Sequence, residues 1–568
     1  MGSDADVTTT QSAAIVALFL VLLIPLAIAL AWWFKQRYAR AIVRLQATAA
    51  GAQAAVRTAT LPPPHAEHAA VAPPLQMRLL PAVAIAAADP DPIRAPRRLR
   101  RRVLRVQFLS GLAYWCGLLM LAMGAMYFYM QASGTPTPRK AASPLADTIS
   151  EAMTLATIVL VPPLLAWALQ AGIRQAAVWW IIGAGSVVLA AGMALSGQAL
   201  IGIVVMPLAL SVLGLMMAAF LRPAVRGAGP PLMAAMIVAF LVFCAFGAIA
   251  VWLDDSGGDN PAQWTELLLE VLLALLALAI SVAIGWRVLL RIARRYAQKR
   301  FSEVQLALGT YWGLLTLFML AAVMLLSFED KTGGTMEWFG LLVILLWLAW
   351  RGAQRLALRW AVRRALPPRG ALLLLRVFKP SQHSEAFIDR FLARWRFAAP
   401  VWMIAGPDLA GALMEPDEFF AYLRRKLAER FVSDAGQIPQ RVAELDAVRD
   451  PDGRFRVSEL FCADSTWQPA VLAMIERAGV ILLDLREYTA SRAGTRYELQ
   501  QLLSRAPLER VLFLTDEAGD APQLRAAIAD AWQSVGRRVD QSVNIVQLRN
   551  ESDAELDGLF RVTAASAG

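Results

Sequence analysis

This 568-residue chain has little of what most enzyme and metal chemistry requires: three cysteines and three histidines. Cys116, Cys244 and Cys462 are far apart, which excludes both a disulfide framework and a CxxC metal site. His65 and His68 stand three apart in an Ala/Pro-rich stretch that does not hold ligand geometry, so no metal site is expected. His383 is alone in the C-terminal region, and GxSxG is absent, so a Ser-His-Asp hydrolase is not expected. The chain also lacks GxGxxG and GxxxxGK[ST], which argues against a Rossmann dinucleotide site or a P-loop. Charged residues are scarce too, at 17% against 58% hydrophobic, well away from the composition of a soluble domain.

What the chain has instead is long apolar runs. About 20 apolar residues cross a bilayer core. Nine windows qualify, at roughly 12–34, 107–130, 152–172, 177–195, 199–220, 231–253, 265–286, 306–328 and 336–354. Lys35, Arg37, Arg40 and Arg44 follow the first, and Arg97, Arg98, Arg100, Arg101 and Arg102 precede the second. Arg174, Arg222 with Arg226, Arg287 to Arg300, and Arg351 to Arg364 fall on the same side. Asp254, Asp255, Asp259, Glu329 and Asp330 fall on the other. The positive-inside rule then places the N-terminus outside and the C-terminus in the cytoplasm, as in a bacterial inner-membrane protein. Trp32, Trp33 and Phe34 make a poor cleavage site, so the first window is expected to be a retained anchor.

The net charge of +11 follows from this topology. Residues 1–368 carry 30 Lys and Arg against 16 Asp and Glu, whereas residues 369–568 carry 25 against 28. A nucleic-acid partner would need basic residues grouped on the soluble part, so none is expected. Membrane lipids are the expected partners of Arg351, Arg355, Arg359 and Arg363, which recur every four residues and would form one stripe along a helix at the membrane surface. Glu151, Glu266 and Glu270 sit at the outer ends of their spans, where water and the helix dipole favour them. Pro162, Pro163 and Pro207 are expected to kink their helices. Few charges at membrane depth leave transport, with a regulatory soluble domain, as the least supported function.

The expected organisation is an anchor span (1–34), a cytoplasmic Ala/Pro-rich linker with a basic end (35–105), an eight-span membrane domain (106–354), a basic juxtamembrane helix (355–368) and a cytoplasmic α/β domain (369–568). The linker, with prolines at 62–64, 73, 74, 90 and 92, reads as an extended or disordered tether over 47–96.

From Gly370 onward, short apolar runs alternate with helical spacing. Strands are expected at 371–375, 401–405, 456–462, 480–485, 511–515 and 543–548, with helices at 384–397, 418–431, 467–477, 496–503 and 522–532. That alternation predicts a mainly parallel sheet with helices on both faces and a ligand site at the carboxyl ends of the strands. Arg376, Phe378, Gly406, Asp484, Ser491 and Arg496 are therefore the candidate ligand-binding residues.

The run from Val480 through Asp484 to Ser491, followed by Arg496-Tyr497-Glu498-Leu499, resembles the strand, Ser/Thr loop and aromatic-Glu-Leu helix start of Toll/interleukin-receptor (TIR) domains. Leu373 to Phe378 resembles the opening strand of the same superfamily, which includes nucleoside deoxyribosyltransferase-like domains. The likeness covers about 100 residues, in pieces, and the whole arrangement resembles bacterial membrane proteins with such a C-terminal domain. It implies a flavodoxin/TIR-like fold that signals or acts as an effector through self-association, as a homo-oligomer. A second implication is an NAD- or nucleotide-cleaving N-glycosidase, with NAD as substrate rather than cofactor. In that case Glu498 would be catalytic, stabilising an oxocarbenium-like state. The chain departs from the family pattern in a longer loop, in Arg492 and Arg496 flanking the glutamate, and in some 45 residues between the second and third expected strands.

Overall fold

A computed structural model of the protein describes residues 22–45, 75–86, 91–133, 144–172, 175–195, 200–254, 264–327, 335–376, 382–405, 416–463, 465–486, 488, 493–516, 521–535 and 542–567. They form two compact units. One lies within Met1–Gln36, Leu104–Arg359 and Met414–Phe420, the other within Arg37–Val103, Trp360–Leu413 and Ala421–Gly568.

The first unit is helical. Among the described residues, seven helical stretches, starting at Ile93, Thr148, Gln175, Gly229, Val271, Glu303 and Glu337, are long and apolar enough to cross a membrane, the first beginning and the last ending in segments of the second unit. Each coincides with one of the nine expected windows. Of the other two, 12–34 lies partly outside the described residues and 22–45 is helical, while 199–220 coincides with the Leu200–Phe220 helix, whose Leu210–Phe220 stretch is apolar. Pro162, Pro163 and Pro207 lie inside helices. Aromatic packing is concentrated around Tyr114, which stacks on Trp350 at 4.6 Å, meets Trp312 edge-on at 6.0 Å and hydrogen-bonds Thr316 at 2.5 Å.

The second unit is built on one eight-stranded, all-parallel sheet: β1 (Gln76–Pro81), β2 (Leu372–Arg376), β3 (Val401–Ala405), β4 (Phe431–Val432), β5 (Val457–Cys462), β6 (Val480–Asp484), β7 (Val511–Asp516) and β8 (Ser542–Leu548). Their order is β1-β8-β7-β6-β2-β3-β5-β4. The six strands expected from the sequence run 3-2-1-4-5-6, the doubly wound dinucleotide-binding order. With β5 set aside, the other five run 2-1-3-4-5, the flavodoxin-like order. The segment between β3 and β5 contributes β4, which pairs with β5 and extends the sheet past it. Within this segment the expected 418–431 helix is shorter, Pro416–Leu423, and Arg425 takes a positive φ of 58° before the chain turns into β4.

Side chains alternate across the sheet. Leu373, Leu375, Ile481, Leu483 and Phe513 join a core with the Trp467–Arg477, Ala493–Arg505 and Ala521–Val535 helices. Leu372, Leu374, Leu482, Leu512 and Leu514 join the opposite core with the Gln382–Trp395 and Asp553–Ser566 helices.

Two strands were not legible as such. β4 has two residues, too short for a periodicity signal. β1 lies inside the expected tether: residues 76–81 pair in parallel with β8, from Gln76 opposite Ser542 to Pro81 opposite Gln547. The following Ala82–Ala86 helix packs on the Asp553–Ser566 helix so closely that a Cβ on Gly558 would overlap the Ala82 carbonyl. Ile93 enters the same core, and Arg97 pairs with Asp557. This part of the 35–105 segment is thus built into the sheet unit rather than spacing it from the first span. Its Ala/Pro composition suggested a coil because the hydrogen bonds that make β1 a strand come from β8, far along the chain.

Candidate functional site

The chain winds to one side of β2 through β3 and β5 and to the other through β6, β7 and β8, so the topological switch lies between β2 and β6. Ligands of such sheets bind at the carboxyl ends beside this switch. Arg376 and Asp484 end these two strands and stand opposite each other in the ladder. Alternation sends both to the face covered by the Gln382–Trp395 and Asp553–Ser566 helices.

Asp484 is buried and fully engaged. Arg486 donates to it in a bidentate fork, Nε to Oδ1 at 2.9 Å and Nη2 to Oδ2 at 2.7 Å, and reaches Glu551 with Nη1 at 2.5 Å. Its guanidinium lies 4.9 Å from the centroid of the Phe387 ring. Burial works against the Arg486 charge, but hydrogen bonds and charge from Asp484, with the charges of Glu551 and Asp516, outweigh it and raise its pKa. Glu551 has a positive φ of 49°, and its carbonyl accepts from Arg390 at 2.8 Å.

Arg486 holds both Asp484 oxygens, and Arg376 makes no ion pair with Asp484. Its Nε and Nη2 are shielded from solvent and have no hydrogen-bond partner among the described residues. Asp516 Oδ1, at the end of neighbouring β7, is in the same condition. Unsatisfied buried polar atoms of this kind are unfavourable and are rare in folded proteins.

Glu498 lies in the second turn of the Ala493–Arg505 helix and is only 4% exposed. Its Oε2 has no hydrogen-bond partner among the described residues, nor has the Oγ1 of fully buried Thr495, three residues earlier and on the same helical face. Burial pushes the Glu498 pKa up to about 8. Its helix packs on the face opposite Arg376 and Asp484. Among the described residues, Arg376 Nε and Nη2 therefore lack acceptors on one face of the sheet, and Glu498 Oε2 and Thr495 Oγ1 lack partners on the other.

Of the other candidates, Arg496 is exposed. Phe378, Gly406 and Ser491 lie outside the described residues, as do His65 and His68. Sequence reasoning missed Arg486, Thr495 and Asp516. The Asp-x-Arg spacing at a strand end was an available signal for the first, since residues i and i+2 share a side. In the basic stripe, Arg355, Arg359 and Arg363 are exposed, beside exposed Leu356 and Trp360. Arg351 departs from it: its half-buried guanidinium packs on Gly309 and lies 5.4 Å from the Trp347 ring centroid.

Fold and site together define a multi-pass membrane protein carrying an α/β domain with a parallel sheet. No family model and no curated protein matches the chain.

Proposed function

We propose that this is a bacterial inner-membrane protein, N-terminus outside and C-terminus in the cytoplasm, whose sheet domain is a TIR-like signalling or effector module. A nucleotide-type anionic ligand at the carboxyl edge of the sheet governs its self-association. The observation that carries this reading is the buried guanidinium edge of Arg376 at the switch between β2 and β6, which lacks an acceptor among the described residues. A phosphate would satisfy both nitrogens through charge-assisted hydrogen bonds. The alternation of basic and acidic loops supports the orientation. A phosphatase fused after Gly568 should be inactive in the periplasm, and activity there would overturn the orientation.

A second reading, an N-glycosidase acting on NAD or a related nucleotide, is favoured by Glu498. A carboxyl group with a pKa of about 8 is largely protonated at neutral pH. It can give a proton to a departing base or, once ionised, stabilise a cationic sugar.

One experiment separates the readings. The full chain in neutral detergent is incubated with NAD, nucleotides and nucleosides, with its thermal midpoint and the products followed together. A midpoint raised by an intact nucleotide supports the signalling module. Release of free base, lost in Glu498→Gln, supports the glycosidase. No shift and no product with any of these compounds would end both.

A further inference from the structure

A guanidinium buried among membrane helices without a counter-charge is strongly disfavoured, and one that persists marks a site. Arg351 is half-buried in such surroundings. It lies within the Glu337–Val362 span and packs on Gly309 of the Glu303–Ser327 helix, where a Cβ would overlap Nη1. Among the described residues no carboxylate pairs with it, and Glu303, the acidic residue of that neighbouring helix, is held by Arg226.

A second observation points to the same layer. Gln107, on the Asp91–Ser133 helix, is fully buried, and neither Nε2 nor Oε1 has a hydrogen-bond partner among the described residues. One turn further on, a Cβ at Gly111 would stand 2.8 Å from the Trp312 ring, and Gly309 precedes Trp312 by three residues. Tyr114, on the same helix, stacks on Trp350, the neighbour of Arg351. This register brings Gln107 to the level of Gly309 and Arg351.

We propose that the junction of these three helices binds the phosphate of an anionic phospholipid headgroup. Arg351 donates to the phosphate oxygens, the Gln107 amide meets the polar part of the headgroup, and Gly309 supplies the room in which the guanidinium lies. A lipid suits the surroundings better than a soluble phosphate, because Leu345 and Leu348 of the same helix are exposed along an apolar surface leading to the site. The role differs from that of Arg355 and Arg359, which project freely.

The test uses the full chain in neutral detergent, titrated separately with phosphatidylglycerol, phosphatidylcholine and inorganic phosphate, and read by native mass spectrometry and thermal midpoint. Phosphatidylglycerol should be retained and should raise the midpoint, and the other two should not. Arg351→Gln should weaken retention about tenfold or more, the loss expected for a charge-assisted hydrogen bond. Gly309→Ala, which keeps every charge but displaces the guanidinium, should do the same, and Arg355→Gln should have little effect. Equal retention of phosphatidylcholine, or Arg351→Gln binding as tightly as the unmodified chain, would overturn the site. Binding of inorganic phosphate without phosphatidylglycerol would overturn the lipid assignment. If Arg351→Gln does not fold, Gly309→Ala decides: unchanged affinity there removes the proposal.

Discussion

Arg376 and Asp484 face each other at the last position of the β2–β6 ladder, yet they do not pair, and Arg486 takes both oxygens of Asp484. One arginine is thereby held by carboxylates, and the other keeps two guanidinium nitrogens without an acceptor among the described residues.

Substitution should separate these roles. Arg376→Gln removes donors that have no partner among the described residues. Stability without ligand should not fall, since the atoms removed are buried and unsatisfied. Nucleotide affinity should fall by about 1.5–3 kcal/mol, the worth of hydrogen bonds to a charged group. Thermal shift with and without nucleotide measures both, and a large loss of stability without ligand would contradict the assignment.

Asp484→Ala should behave in the opposite way. It leaves Arg486 buried with Glu551 as its remaining hydrogen-bonded carboxylate, and breaking a buried pair in this manner costs about 3–5 kcal/mol. The sheet unit should unfold at clearly lower temperature or denaturant concentration, whatever ligand is present. An unshifted transition would show that the pair is energetically neutral.

Glu498 predicts a pH dependence. Folding raises its pKa from the ordinary carboxylate value of 4.5 to about 8, so the folded chain holds the proton more tightly than the unfolded chain. Its stabilising contribution is complete below about pH 4.5 and is lost as pH climbs through 8. By pH 7 the loss is on the order of 3 kcal/mol. Glu498→Gln, which cannot ionise, should gain stability over the unmodified chain as pH rises from 5 to 8. Melting curves that stay parallel across that range would refute the burial of the carboxyl group.

The edge strand can be tested by removal. Deleting residues 75–86 exposes the β8 edge and the surface of the Asp553–Ser566 helix, and an open strand edge promotes pairing with other chains. The deleted protein should associate in a concentration-dependent manner on size exclusion. Gly558→Ala, whose methyl group would overlap the Ala82 carbonyl, should do so more weakly. A monodisperse deletion variant would show that β1 is dispensable.

The sequence alone determined the helical spans and the alternation of strands and helices after Gly370, because both are written in local hydrophobic periods. It also placed Arg376, Asp484 and Glu498 at strand and helix ends near the carboxyl edge, since a βα unit puts them there. Tertiary structure decided the remainder. β1 is a strand through hydrogen bonds to a partner more than 460 residues away, and no local signal encodes such a partner. Arg351 shares the four-residue spacing of Arg355, Arg359 and Arg363, but it packs half-buried against a glycine of another helix while the others stay exposed. Arg486 pairs with Asp484, whereas Arg376, opposite Asp484 in the ladder, does not. That ladder position exists only once β2 and β6 lie side by side, which no local signal encodes.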